Sequence, residues 1–249
     1  MILKRLIFDR WIATFAMLFV VIVASSLGLW QVDRMGQKIR LAEELAQKES
    51  AAPLLAHARA WTLEEALHRN MVVKGEFLKD ETIWLDNRPH PQGRDPKTGA
   101  TVGFYVLTPV RLLHSGQILW VNRGWAPRNM MQREALPELD TPSGIIELEG
   151  VVFAHAARVM NLGSSAVLAE KTKIKQNLDL LEEEKRLGVT HLPFIVRQNS
   201  HTPDGLVRDW APADTGADKH RGYAFQWFSL AALAVVFWAM SGLLRKKSD

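Results

Sequence analysis

Two stretches of the chain, residues 11–32 and 222–244, carry no charged side chain, and between them apolar residues fall into short alternating runs. Each charge-free stretch exceeds the roughly 20 residues a helix rising ~1.5 Å per residue needs to cross a ~30 Å hydrocarbon layer. In lipid a segment must satisfy its own backbone polar groups, so both stretches predict membrane-spanning helices. The runs 70–78, 82–86, 103–113, 117–122, 145–153 and 192–198 are rich in branched and aromatic residues and predict strands. His114-Ser115-Gly116 predicts a hairpin between two of them. Residues 37–47 are strong helix formers, so the first helix is expected to continue past the membrane. Thr62-Leu63-Glu64-Glu65 fits a capping box opening a short helix through His68. Residues 168–187 read as one long amphipathic helix with Ile174, Leu178 and Leu181 on a stripe. Residues 89–99 are turn-rich, and residues 202–218, with Pro203, Gly205, Pro212 and Gly216, read as a linker.

Together these elements predict an α+β chain. A transmembrane helix at each end (11–32 and 222–244) flanks a domain over 33–221, with tails at 1–10 and 245–249. The domain's antiparallel sheet is expected to curl toward a barrel.

Charge then orients the chain. The tails hold Lys4, Arg5, Arg10, Arg245, Lys246 and Lys247 against Asp9 and Asp249, which accounts for the whole formal charge of +4 and leaves the middle neutral. Short basic segments stay cytoplasmic, whereas long loops translocate regardless of charge, so both termini are expected inside and the central domain outside. The pI near 9.4 is therefore a topology signal and no argument for nucleic acid. Ala24-Ser25-Ser26 offers small residues for a signal peptidase, which is a rival reading of the first helix. The apolar run continues through Leu27-Gly28-Leu29-Trp30, and that favours an uncleaved anchor. The N-terminus lacks an Arg- and Ser-rich leader, which points to a bacterial inner membrane.

No cysteine is present, which excludes disulfides, thioether haem attachment and thiolate metal sites. G-x-S-x-G, H-E-x-x-H, G-x-x-x-x-G-K-[ST] and G-x-G-x-x-G are all missing, and no two histidines stand three or four apart. An enzyme is not expected. One histidine stands apart by position, because His220 lies two residues before the second charge-free run. In a helix, Tyr223, Ala224, Trp227 and Ala231 share its face. That stripe offers an imidazole for iron and an apolar wall for a macrocycle, the two things a haem requires. Tyr and Trp are equally familiar as interfacial anchors. On the first helix, Leu27, Trp30, Gln31, Arg34 and Lys38 share a face, and Arg34 suits a propionate. It suits equally a cation–π contact with Trp30.

Four segments carry a family likeness. Leu27-Gly28-Leu29-Trp30-Gln31-Val32-Asp33-Arg34 resembles the L-G-x-W-Q-x-x-R signature of the Surf1 family. Val73-Lys74-Gly75-Glu76-Phe77 resembles its V-x-G-x-F strand. Residues 103–109, followed by Leu119-Trp120-Val121-Asn122-Arg123-Gly124-Trp125-Ala126-Pro127, resemble the block ending in V-N-R-G-W-x-P. His220-Arg221-Gly222-Tyr223-Ala224-Phe225-Gln226-Trp227-Phe228 resembles the H-x-x-Y-A-x-x-W-F entry to the last helix. Lys219 stands where Asn or another polar residue is frequent in the family, and Gln226 where Thr is usual.

The resemblance implies an assembly factor for cytochrome c oxidase that binds haem a and assists its placement in subunit I, alongside other oxidase assembly factors. His220 is then the expected iron ligand, with Tyr223 and Trp227 as walls and Arg34 and Trp30 as partners. A cofactor-free membrane scaffold for an oxidase intermediate is the alternative. For Asn122-Arg123-Gly124-Trp125 a structural role is preferred: Arg123 in a polar network, Gly124 at an unusual backbone angle and Trp125 in the core.

Overall fold

The computed structural model describes residues 10–129, 131–132, 135–159, 173–210 and 216–245. The chain divides into two compact units, one holding the two terminal helices and the other spanning Leu45–Pro212.

In the first unit, helix α1 (Trp11–Ser50) and helix α4 (Ala217–Arg245) are both long and apolar enough to cross a membrane. Their least exposed positions recur at a period of 3.5. On α1 these are Thr14, Met17, Val21, Ala24, Gly28, Gln31 and Met35; on α4 they are His220, Ala224, Trp227, Ala231, Ala234, Trp238 and Ser241. A 3.5-residue repeat keeps one seam facing its partner along a left-handed supercoil. Small residues let the backbones approach: a Cβ on Gly28 would come within 2.7 Å of the Phe228 ring. At one end Arg10 donates to the Trp238 carbonyl at 3.3 Å and to Ser241 Oγ at 2.9 Å, and Trp238 Nε1 donates to Thr14 Oγ1 at 3.1 Å. The opposite surfaces stay apolar and exposed, with Phe15, Phe19, Ile22, Phe225, Leu233 and Phe237 outward, as a lipid-facing surface requires.

The second unit is a barrel with additions. Its strands are β1 (Leu54–Leu55), β2 (Asn70–Phe77), β3 (Ile83–Pro89), β4 (Val102–Leu112), β5 (Ile118–Pro127), β6 (Ile145–Phe153), β7 (Ile174–Lys175) and β8 (His191–Gln198). Their order is β1-β2-β6-β8-β5-β4-β3-β7, and the extra pairing of β2 with β4 closes five strands into a ring. Closure depends on Gly75, which aligns with Ile146 on one side and Leu112 on the other. A Cβ there would lie 2.2 Å from the Arg111 carbonyl oxygen, so any side chain forces β2 and β4 apart. β4 is long enough to pair with β3 through its first half and β2 through its second. Alternation sends Met71, Val73, Val110, Leu112, Leu119, Val121, Leu148, Val152, Phe194 and Val196 into the barrel core. The opposite face of β3, β4, β5 and β8 buries Leu85, Leu107, Trp120 and Ile195 beneath Leu178 and Leu180.

Thr62 caps helix α2 (Leu63–Ala66) in a reciprocal capping box with Glu65, which ends sooner than the sequence suggests because His68 turns to a φ of 63°. Arg59 and the Thr62 groups hold the Glu65 carboxyl well below its ordinary range, at about 2. Two expectations need correction. The helix predicted over 168–187 is, among the described residues, only α3 (Leu180–Leu187), and residues 168–172 lie outside them. Ile174 and Lys175 pair in parallel with Trp84 and Leu85, and Asp179 caps α3 by accepting from the amides of Leu181 and Glu182. Leu181 is consequently exposed while Leu178 is buried. The segment read as a linker is also structured through Trp210. Val207 forms an antiparallel bridge with Trp125, Asp204 is buried, and Trp210 Nε1 donates to the Gln198 carbonyl at 2.7 Å. Residues 211–215 lie outside the described set.

The Asn122-Arg123-Gly124-Trp125 segment explains that docking. Arg123 is fully buried and donates to Asp204 Oδ2 at 2.9 Å, Thr141 Oγ1 at 2.7 Å and the Asp140 carbonyl at 2.9 Å. Burial lowers the Arg123 pKa and the Asp204 carboxylate opposes that shift. Gly124 sits at φ +152°, and a Cβ would meet Leu206 Cβ at 2.8 Å and the Val207 carbonyl at 2.9 Å. Trp125 is buried and donates to the Arg88 carbonyl at 3.0 Å.

Candidate functional site

The seam between α1 and α4 ends in one polar contact at the end opposite Arg10. His220 Nδ1 lies 2.6 Å from Gln31 Oε1. An amide oxygen only accepts, so Nδ1 carries the proton and the lone pair falls to Nε2. Among the described residues Nε2 has no hydrogen-bond partner. This is the arrangement second-sphere acceptors impose on metal-bound histidines: one ring nitrogen is held and the other presented.

Local sequence places both groups. Gln31 is buried at the seam position one turn beyond Gly28, whereas its neighbours Trp30 and Val32 are exposed. His220 lies in the first turn of α4, half-buried, with Ala224 and Trp227 following on the same stripe. Ala224 is buried on the seam one turn after His220.

The other expected residues divide. His220, Trp227 and the two alanines share the seam face as anticipated, but Tyr223 is exposed at its edge. Trp30 and Arg34 are both exposed, with the Arg34 guanidinium 5.7 Å from the Trp30 ring centroid and donating to Gln37 Oε1 at 2.8 Å. The structure thus sets Gln31, and neither Trp30 nor Arg34, against His220. The sequence places Gln31 on one face with Trp30 and Arg34 but gives it no role, although it is the one amide within the first charge-free run and falls on the Ala24–Gly28 heptad. No group of three or more His, Cys, Asp or Glu side chains among the described residues is placed to hold a metal ion.

The motif segments therefore sit where the fold needs them: Gly75 at barrel closure, Arg123 to Trp125 at the docking of the returning chain, and Gln31 with His220 across the helix pair. Compared with known proteins, the chain matches the SURF1 family over residues 18–232. It belongs to the SURF1 family. SURF1 family members are non-catalytic assembly factors, and membership carries a general role in cytochrome oxidase assembly. The chain is similar to the SURF1-like protein of Caenorhabditis elegans, 26% identical over 239 residues covering 89% of this chain and 71% of that one. It is similar to the Surfeit locus protein 1 of Rattus norvegicus, 26% identical over 228 residues covering 89% and 73%. It is also similar to the Surfeit locus protein 1 of Homo sapiens, 24% identical over 241 residues covering 93% and 76%. With two apolar terminal helices, this SURF1 family member is membrane-associated.

Proposed function

We propose that this SURF1 family protein binds haem a at the His220 end of its helix pair and assists its placement in subunit I of a haem-copper oxidase. The reading places the protein in a bacterial inner membrane, with both termini cytoplasmic and the barrel periplasmic. It rests on one observation, the His220–Gln31 hydrogen bond, which occupies Nδ1 and leaves Nε2 without a hydrogen-bond partner among the described residues. His220 would hold the iron through Nε2 in this reading, and Gln31 would fix its tautomer. Trp227 and Tyr223 supply apolar wall, and Arg34, held over Trp30, is the candidate partner for a propionate. Haem, when bound, would supply the iron that an oxidase active centre requires, and His220, Trp227 and Tyr223 would hold it at this end of the helix pair.

A cofactor-free scaffold draws on the same hydrogen bond as a join between helices. The visible spectrum of protein purified from cells with intact haem A synthesis separates the two readings. The haem reading expects a haem absorption band that His220→Ala abolishes. A colourless protein that still cross-links to subunit I supports the scaffold.

A further inference from the structure

On the barrel's outer face two arginines, Arg88 and Arg197, make no ion pair among the described residues, and strand register gathers them with Tyr105 and Asn122. A bulge after Leu85, with Asn87 at φ 59°, brings Arg88 opposite Gly103 as Leu85 is opposite Tyr105, so Arg88 and Tyr105 share a face. A second register shift aligns Trp125 with Tyr105 and Asn122 with Leu107, and β8 sets Arg197 beside Asn122. Arg88, Tyr105, Asn122 and Arg197 therefore stand on one side of four neighbouring strands. Trp210 and Phe153 wall the group. The Tyr105 and Trp210 ring centroids are 5.5 Å apart, and the Arg197 guanidinium lies 4.3 Å from the Phe153 centroid and 5.1 Å from that of Trp210.

The base of this group is unsatisfied. Arg88 is 1% exposed; its Nη2 donates to the Gln176 carbonyl, but Nε and Nη1 are buried without a partner among the described residues. Asn122, 2% exposed, likewise has an unpartnered Oδ1. The Arg197 side chain makes no ion pair or hydrogen bond among the described residues. The acidic groups acting on the two arginines are Asp86, already paired with Arg128 at 3.1 Å, and Glu49. Burial lowers the pKa of both guanidinium groups and raises that of the Tyr105 phenol. Unpaired charge out of water is costly unless something else completes it. The rim is reachable, since Tyr105, Phe153, Arg197 and Trp210 are each half-buried.

We propose that this cluster binds a carboxylate carried on a flat apolar body, with the arginines taking the carboxylate and the Tyr105, Phe153 and Trp210 rings taking the body. A guanidinium fork matches carboxylate geometry, and a few convergent polar groups among aromatic walls are what small-molecule sites share. The inference stands on barrel residues alone and does not depend on haem.

Calorimetric titration of the full-length protein in uncharged detergent with benzoate tests it. Saturable binding with a Kd of about 1 mM is expected for so small a ligand. Arg197→Gln is expected to weaken binding about tenfold or more through loss of a charge-assisted contact. Arg197→Lys, which keeps the charge but not the fork, guards against a folding defect and is expected to weaken it too. Inorganic phosphate, an anion without the apolar body, is expected to bind more weakly than benzoate. Absence of saturable benzoate binding, wild-type affinity in both Arg197 variants, or phosphate binding as tight as benzoate would overturn the proposal.

Discussion

The Arg123 guanidinium and the Asp204 carboxylate meet at 2.9 Å with both side chains out of solvent, tying β5 to the chain that returns from β8. Arg208 shares the same carboxylate. Removing one member of a buried pair strands the other without compensation, at a cost of about 3–5 kcal/mol. Asp204→Ala is therefore expected to lower stability on that scale. Arg123→Met with Asp204→Leu is expected to cost less than Asp204→Ala, since Arg208 alone, and not Arg123 as well, then loses its carboxylate. Denaturant midpoints of the three proteins check the order.

Barrel closure makes Gly75 intolerant of any side chain, because the atom it would strike is the Arg111 backbone oxygen and not a movable side chain. Gly75→Ala is expected to cost about 3 kcal/mol or more, at or above the upper end of ordinary overpacking. Gly116, with open space around it, is the matched control, although its φ of 67° adds a small strain of its own. Thermal unfolding that leaves Gly75→Ala at wild-type stability would contradict closure through this residue.

At the helix pair, Gln31→Leu keeps approximate size and removes the acceptor for His220 Nδ1. Loss of a second-sphere partner lowers metal-site affinity about 10–100-fold. Under the proposed haem reading, the expected outcome is a lower haem occupancy than wild type, with residual signal that His220→Ala lacks. Absorbance per protein in the three preparations gives the comparison.

Two histidines, buried His191 and half-buried His68, act on the acid side of the stability profile. Trp120 Nε1 donates to His191 Nδ1 at 3.3 Å, so that nitrogen acts as acceptor, and burial lowers the His191 pKa below its usual 6.5. His68 is lowered for the same first cause. A depressed histidine pKa means that the unfolded chain takes up the proton first. Their contribution is thus complete above pH 6.5 and declines as pH falls through the folded pKa values. Urea midpoints measured from pH 7.5 down to 5 are expected to fall, and His191→Gln is expected to flatten the slope.

Much of this architecture is legible in the sequence because it follows local rules. The strand over Ile145–Phe153 has the predicted bounds, the Thr62–Glu65 capping box is present, and the charge-free runs are helical. The failures come where tertiary partners override local preference. Residues 173–179 look helical by composition, yet Ile174 and Lys175 are recruited by the β3 edge, and the Asn177 side chain exchanges hydrogen bonds with the Val159 backbone. The Pro- and Gly-containing stretch after residue 202 looks like a tether, yet a buried arginine claims Asp204. At the candidate site, helical spacing placed His220 correctly on a stripe with Trp227. It did not show that Gln31 would turn inward while Trp30 and Arg34 turned out, because choosing between adjacent residues requires the partner helix.

The two polar ties of the helix hairpin, Arg10 with Ser241 and Gln31 with His220, lie at opposite ends of one seam. Sliding either helix by a single turn, about 5.4 Å, would break both together and drive Phe228 off the gap at Gly28. The pair is in effect a ruler pinned twice, so anything gripped by the imidazole is kept at a constant depth and cannot ride up or down.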